Sequence, residues 1–171
     1  MFLESIRVLD VNICVQQPGK FSAHTRASAD LAEVMPYLNA MFRRADYNAE
    51  ANTIRFYHNK IEFTLVDSRI NVAKFANRTE LHELLDWIQE LINDIYESRS
   101  DLTPLYEKKK EVPVLSIFAL LPKTNCRACG EKSCMAFAAK LNKTEADIEE
   151  CPVLDEPENQ EKKQRLEAAL G

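Results

Sequence analysis

The chain has 171 residues, 46% of them hydrophobic, enough to bury a core as one domain with an appendage or as two small domains. No apolar run approaches the ~18 residues a membrane span needs. The start, "MFLESIRVLDVN", lacks a basic flank and an unbroken apolar stretch, so neither a span nor an export signal is expected, and a cytoplasmic location is. The net charge of −5 argues against the chain as a whole binding nucleic acid, which requires an excess of Lys and Arg on the binding face.

In chain order, "VLDVNICVQ" alternates apolar and polar residues and predicts a strand with Leu9, Val11, Ile13 and Val15 on one face. Pro18-Gly19 then turns the chain into a second short strand near Phe21 to Ala27. A helix is expected next, with Asp30 and Glu33 at capping-box spacing and Leu31, Val34, Leu38, Met41 and Phe42 on one side, kinked or restarted at Pro36. Strands follow at Ile54 and Phe56, at Ile61, Phe63 and Leu65, and at Ile70 and Val72, with turns at His58-Asn59 and Asp67-Ser68. Thr79 is expected to cap a long helix with its stripe on Leu81, Leu84, Leu85, Ile88, Leu91, Ile92 and Ile95. The pattern predicts an α+β layer: an antiparallel sheet with two covering helices over residues 1–101, a domain of unassigned role.

Residues 102–113 hold Pro104, Pro113 and the run "EKKKE" with no apolar period, and read as a charged, solvated linker. A small, mostly helical module is expected over 114–155, opening with "VLSIFALL" as a strand or buried helix. Thr144 and Asp147 form a second capping pattern, and 156–171 reads as an acidic tail with a frayed helix.

The chemistry concentrates in that module. Of five cysteines, four are spaced C-x2-C-x4-C-x16-C through Cys126, Cys129, Cys134 and Cys151, the last followed by proline. In a reducing compartment an odd number of thiols points to metal or redox chemistry rather than disulfides. Zinc sites commonly take ligands as two separated close pairs. Three cysteines in quick succession with one remote Cys-Pro suit an iron-sulfur cubane better. Structural zinc and unliganded thiols are the alternatives. Gly130 sits where the thiol loop must turn, and Cys134 opens a predicted helix whose positive end favours a thiolate. From Lys123 to Lys143 there are five basic residues and one acid, a setting in which Lys123 and Arg127 would raise the potential of an anionic cluster.

"LLPKTNCRACGEKSCMAFAAKL" followed by "CP" resembles the four-cysteine iron-sulfur domain of the corrinoid iron-sulfur protein large subunit of acetogens and methanogens, and of the Rnf complex B subunit. The likeness spans about Val114 to Leu154. It implies a [4Fe-4S] cluster held by Cys126, Cys129, Cys134 and Cys151 that passes single electrons, in one case to reactivate a cobalt cofactor. The chain has no second ferredoxin-type cysteine set and no length for a corrinoid-binding barrel, so neither parent's complete function carries over. The expectation is a one-electron carrier or reductive activator in anaerobic metabolism that docks a redox partner protein, with a redox or iron sensor and a zinc-stapled interaction module as alternatives. With all four iron corners filled by cysteine, electron transfer suits the site better than catalysis. Cys14 reads as a small strand residue, His24, His58 and His82 as surface residues, and Trp87 as core or its edge.

Overall fold

The computed structural model describes residues 1–15 and 17–170. Gln16, at the end of the first predicted strand, and Gly171, at the end of the predicted tail, lie outside the described residues. The chain forms two compact units, Met1–Lys109 and Lys110–Gly171.

The first unit is an α+β layer. Its strands are β1 (Ile6–Ile13), β2 (Phe21–Ala27), β3 (Asp46–Asn48), β4 (Thr53–His58), β5 (Ile61–Val66) and β6 (Arg69–Phe75). They make one antiparallel sheet in the order β1-β2-β6-β5-β4-β3. The turn between β4 and β5 uses Asn59 (φ 49°) and Lys60 (φ 66°), two left-handed residues in succession, which matches the twist of a tight hairpin. Every second residue of the central strands, including Ile54, Phe56, Phe63, Leu65, Ile70 and Val72, faces a common core and is fully buried.

Helix α2 (Arg78–Ser98) lays Leu81, Leu84, Leu85, Ile88, Ile92 and Ile95 on that core. Its cap is Asn77 rather than the expected Thr79: the Asn77 side chain accepts the Glu80 N–H at 3.0 Å, and the Glu80 carboxylate accepts the Ala76 N–H. These two reciprocal bonds satisfy two backbone donors, and Thr79 has no such geometry inside the first turn. Helix α1 (Met35–Met41) is shorter than expected. Proline lacks the N–H that an inner turn needs, so the helix begins next to Pro36, and Asp30 instead closes a local turn onto the Ala32 N–H at 2.9 Å. Met41, expected on the apolar side, is 50% exposed. Trp87 packs at the core's edge, stacked on His58 at 3.9 Å between ring centroids, and burial lowers the pKa of that imidazole.

Strand β1 departs from its sequence pattern. A register shift between Val8 and Asp10 changes the phase of the alternation, so that Ile6 and Val8 before it and Val11 and Ile13 after it all lie opposite core-facing residues of β2. Ile6 and Val8 pack against the core, whereas Leu9, Val11, Ile13 and Val15 are exposed, Ile13 by 73% and Val15 by 98%. Cys14 between them is buried. The short strand β3 carried no apolar alternation in the sequence and was not expected.

Residues of the charged stretch are tied to the first unit. The Asn39 side chain donates to the carbonyls of Leu105 (2.8 Å) and Glu107 (3.0 Å), the Lys109 ammonium donates to the Phe42 carbonyl at 2.8 Å, and Lys108 pairs with Asp46 at 3.1 Å. Among the described residues, no helix is long and apolar enough to cross a membrane.

The difference between the two apolar rows has a direct consequence for stability. Ile70→Ala should cost about 2–5 kcal/mol in chemical denaturation, as for other filled core sites, while Ile13→Ala should cost less than about 0.5 kcal/mol. Equal costs would place β1 in the core after all.

Candidate metal centre

The second unit is built on its own apolar core. Helices α3 (Val114–Leu120), α4 (Cys134–Asn142) and α5 (Gln160–Leu170) and three single 3-10 turns, Ile148–Glu150, Pro152–Asp155 and Pro157–Asn159, pack around Ile117, Phe137, Leu141, Leu154 and Leu166, each at most 1% exposed. The "VLSIFALL" segment is therefore helical. The C-terminal segment does not fray: Leu166 and Leu170, one helical turn apart, dock into this core and order α5 behind an otherwise charged face. The second capping box is Asp147 with Glu150, one register later than the expected Thr144 with Asp147; Thr144 instead takes a left-handed φ of 59°.

The core has a thiol-bearing rim. Cys151 is buried in it, at the junction of two 3-10 turns, and Cys129 and Cys134 pack against it half-buried. Cys126 is exposed. Burial pushes the Cys151 thiol up; the N–H groups of Leu154 and Val153 oppose that, and the neighbouring Cys129 and Cys126 push it up further. Three of the four predicted residues therefore share an electrostatic neighbourhood, and Cys134 shares their apolar floor. Among the described residues, no three His, Cys, Asp or Glu side chains converge into a ready metal-binding group.

The loop between α3 and α4 is unusual in its backbone. Lys123 (φ 64°), Asn125 (φ 50°), Arg127 (φ 64°) and Gly130 (φ 82°) are all left-handed. For the three residues with a Cβ this costs roughly 1–2 kcal/mol each, a strain that surrounding contacts must hold. Those contacts are visible. The Asn125 side chain accepts the Cys134 N–H at 2.9 Å, the Arg127 carbonyl accepts the Gly130 N–H at 2.9 Å, and Ser133 caps α4 by accepting the Ala136 N–H. A Cβ at Gly130 would meet nothing within 4 Å, so the positive φ rather than crowding is what requires glycine there.

The loop also prepares its thiol. The Ala128 N–H and the Thr124 hydroxyl, with the residue's own N–H, hold the Cys126 thiol's pKa below the ordinary value, against opposing pushes from burial and Glu156. Sulfur stabilised by several N–H donors suits a thiolate that ligates a metal. Sequence reasoning passed over Thr124 and Asn125; their signal was the turn-forming pair before the first cysteine in "KTNC". Of the two cations singled out, Lys123 places its ammonium 5.4 Å from the Phe118 ring centroid, and Arg127 is exposed. Lys140, near them in sequence, is paired with Glu131, which offsets part of the local positive excess.

The four cysteines would offer an iron-sulfur cofactor sulfurs alone, with no imidazole or carboxylate among them, carried on a strained loop, a helix start and a buried turn. Comparison with known proteins agrees. Residues 121–153 match the family model described as "Putative Fe-S cluster". Subunit gamma of the acetyl-CoA decarbonylase/synthase complex of Methanocaldococcus jannaschii is 47% identical over 57 residues, covering 33% of this chain and 12% of that protein. The same subunit of Methanothermobacter thermautotrophicus is 43% identical over 60 residues (35% of this chain, 13% of that protein), and that of Methanopyrus kandleri 50% identical over 56 residues (33% and 12%). The chain thus matches a small fraction of the length of these relatives. No solved structure matches it. The matched segment is an iron-sulfur domain, homologous to part of subunit gamma, and the first unit lies outside the family match.

Replacing the buried thiol tests the donor set against the fifth cysteine. Cys151→Ala should lower bound iron to less than about half or leave a labile cluster, while Cys14→Ala should leave iron per chain unchanged by metal analysis. Loss of iron in the Cys14 variant would show that the donor set is wrong.

Proposed function

We infer that the chain is a one-electron carrier or reductive activator whose second unit holds a [4Fe-4S] cluster on Cys126, Cys129, Cys134 and Cys151, and which works in the cytoplasm on a redox partner protein. The observation that carries the reading is the graded exposure of the four thiols: Cys151 buried, Cys129 and Cys134 half-buried, Cys126 at the surface. A cluster bound on this gradient would supply single-electron chemistry close to solvent, and electrons would reach a docked protein from the Cys126 side. The apolar floor under the other three thiols excludes water from the inner side and keeps the cofactor's ligands from hydrolytic loss.

Two further points support the reading. Four cysteines fill a cubane's iron corners and leave no position for substrate, so transfer of electrons is the use such a site favours. The relatives are subunits of a multi-subunit complex, which supports a protein as the partner here. The likeness to the corrinoid iron-sulfur protein and the Rnf B subunit supports a corrinoid protein or another anaerobic metalloenzyme as that partner.

Anaerobic purification, with iron, acid-labile sulfide and zinc measured on one sample and paramagnetic resonance before and after dithionite, tests this. About four irons and four sulfides per chain, with a signal that appears only on reduction and is lost on reoxidation with the iron retained, is expected. Stoichiometric zinc without sulfide that persists through iron-sulfide reconstitution would make the unit a structural staple. Iron released on each redox cycle would make it a sensor.

A further inference from the structure

The open face of the sheet in the first unit carries charge that nothing in the unit uses. Register sets Arg7 of β1 opposite Arg26 of β2, and Arg26 opposite Arg69 of β6. Residues opposed in an antiparallel ladder share a face, and Arg26 alternates with buried Thr25 and Ala27, so the three guanidinium groups lie on the side turned away from the core. All three are exposed. Like charges directly opposite each other oppose sheet formation.

The carboxylates of that face are engaged elsewhere. Asp10 bonds to His24 and Asn12, both at 2.7 Å; Asp46 pairs with Arg55 and Lys108, both at 3.1 Å; Glu62 accepts from Tyr57 at 3.0 Å and pairs with Lys74 at 3.5 Å. Among the described residues Arg7, Arg26 and Arg69 make no ion pair or side-chain hydrogen bond. Neighbouring strands lie ~4.8 Å apart, so the row spans roughly 10 Å. Carboxylates three or four residues apart on a helix repeat at about 5–6 Å, a near match to that spacing.

We propose that the Arg7, Arg26 and Arg69 row is the docking site for a carboxylate-rich helical surface of a partner protein. Arginine rather than lysine suits this use, because its planar fork takes a carboxylate bidentately. A nucleic-acid backbone is a poorer occupant: its continuous run of phosphates extends past a row of three cations onto the carboxylates of Asp10, Asp46 and Glu62 on the same face, whereas a helix can confine its carboxylates to the length of the row. A second copy of this chain is poorer too. Its exposed acids Glu83, Asp86, Glu90 and Asp94 lie on α2, on the opposite side of the sheet, so pairing them with the arginine row is a heterologous, head-to-tail contact rather than the commoner two-fold dimer. The docking site rests on the first unit alone.

The test uses the full chain and a fluorescein-labelled, alanine-based helical peptide with glutamates at three- and four-residue spacing, followed by anisotropy at about 20 mM salt, where surface charges are little screened. Saturable binding is expected, weakening as salt rises. The triple variant Arg7→Gln/Arg26→Gln/Arg69→Gln should weaken it by at least about tenfold, and a triple of equal charge at other exposed sites, Arg43→Gln/Arg78→Gln/Arg165→Gln, by less than about threefold. The first triple should unfold at a denaturant concentration equal to or above that of the wild type, since it removes repulsion. Equal loss in both triples, absence of binding, a lower unfolding midpoint in the first triple, tighter binding of a thymidine oligonucleotide than of the peptide, or low-salt self-association of the wild type that the first triple abolishes would each overturn the proposal.

Discussion

The packing of Phe137, Leu141, Leu154 and Leu166 against Ile117 is the constraint on which the candidate centre depends. Each fully buried side chain of this size contributes about 1.5–3 kcal/mol, so even this small set outweighs the strain of three left-handed residues with side chains in the neighbouring loop. The core places α4, and α4 places Cys134 at its first turn and Ser133 at its cap. It also fixes the turn in which Cys151 is buried. Cys134 and Cys151, 17 residues apart in the chain, are both brought to this core by hydrophobic packing rather than by local sequence.

Electrostatics divides the second unit along the same gradient as burial. The inner thiol, Cys151, is pushed toward its neutral form by desolvation and by its sulfur neighbours, and the outer thiol, Cys126, is held toward its charged form by N–H and hydroxyl donors. A loop that supplies donors to sulfur and a core that withholds water are complementary requirements for a thiolate-held cofactor. In the first unit charge and burial are separated differently, with α2 and α1 covering one side of the sheet and polar residues occupying the other.

Much of this was legible in the sequence because strong periodicity survives tertiary context. The stripe on α2, the hairpin turns at Asn59 and Asp67 and the central strands β4, β5 and β6 follow directly from spacing and turn chemistry. The failures share a cause: a local choice settled by long-range contacts. In edge strand β1 Val11 and Ile13 lie opposite core-facing Ala23 and Phe21 and are nonetheless exposed, because the buried core does not extend under that end of the strand. Leu166 and Leu170 looked like part of an acidic tail, because two leucines among charges are too few to announce a helix without the core that receives them. At the candidate centre the cysteine spacing was plain, whereas the parts played by Thr124 and Asn125 depend on a loop conformation that spacing does not encode.

The protein's own core, not the cofactor, builds the frame of the second unit. Amide hydrogen exchange on the full chain, metal-free and then loaded anaerobically with iron and sulfide, tests it most directly. Amides of α4 from Phe137 to Asn142 should be protected already in the metal-free chain, with loading adding protection chiefly between Lys123 and Gly130. Amides of α4 that exchange freely until metal is supplied would contradict the account and make the cofactor the organiser of the fold.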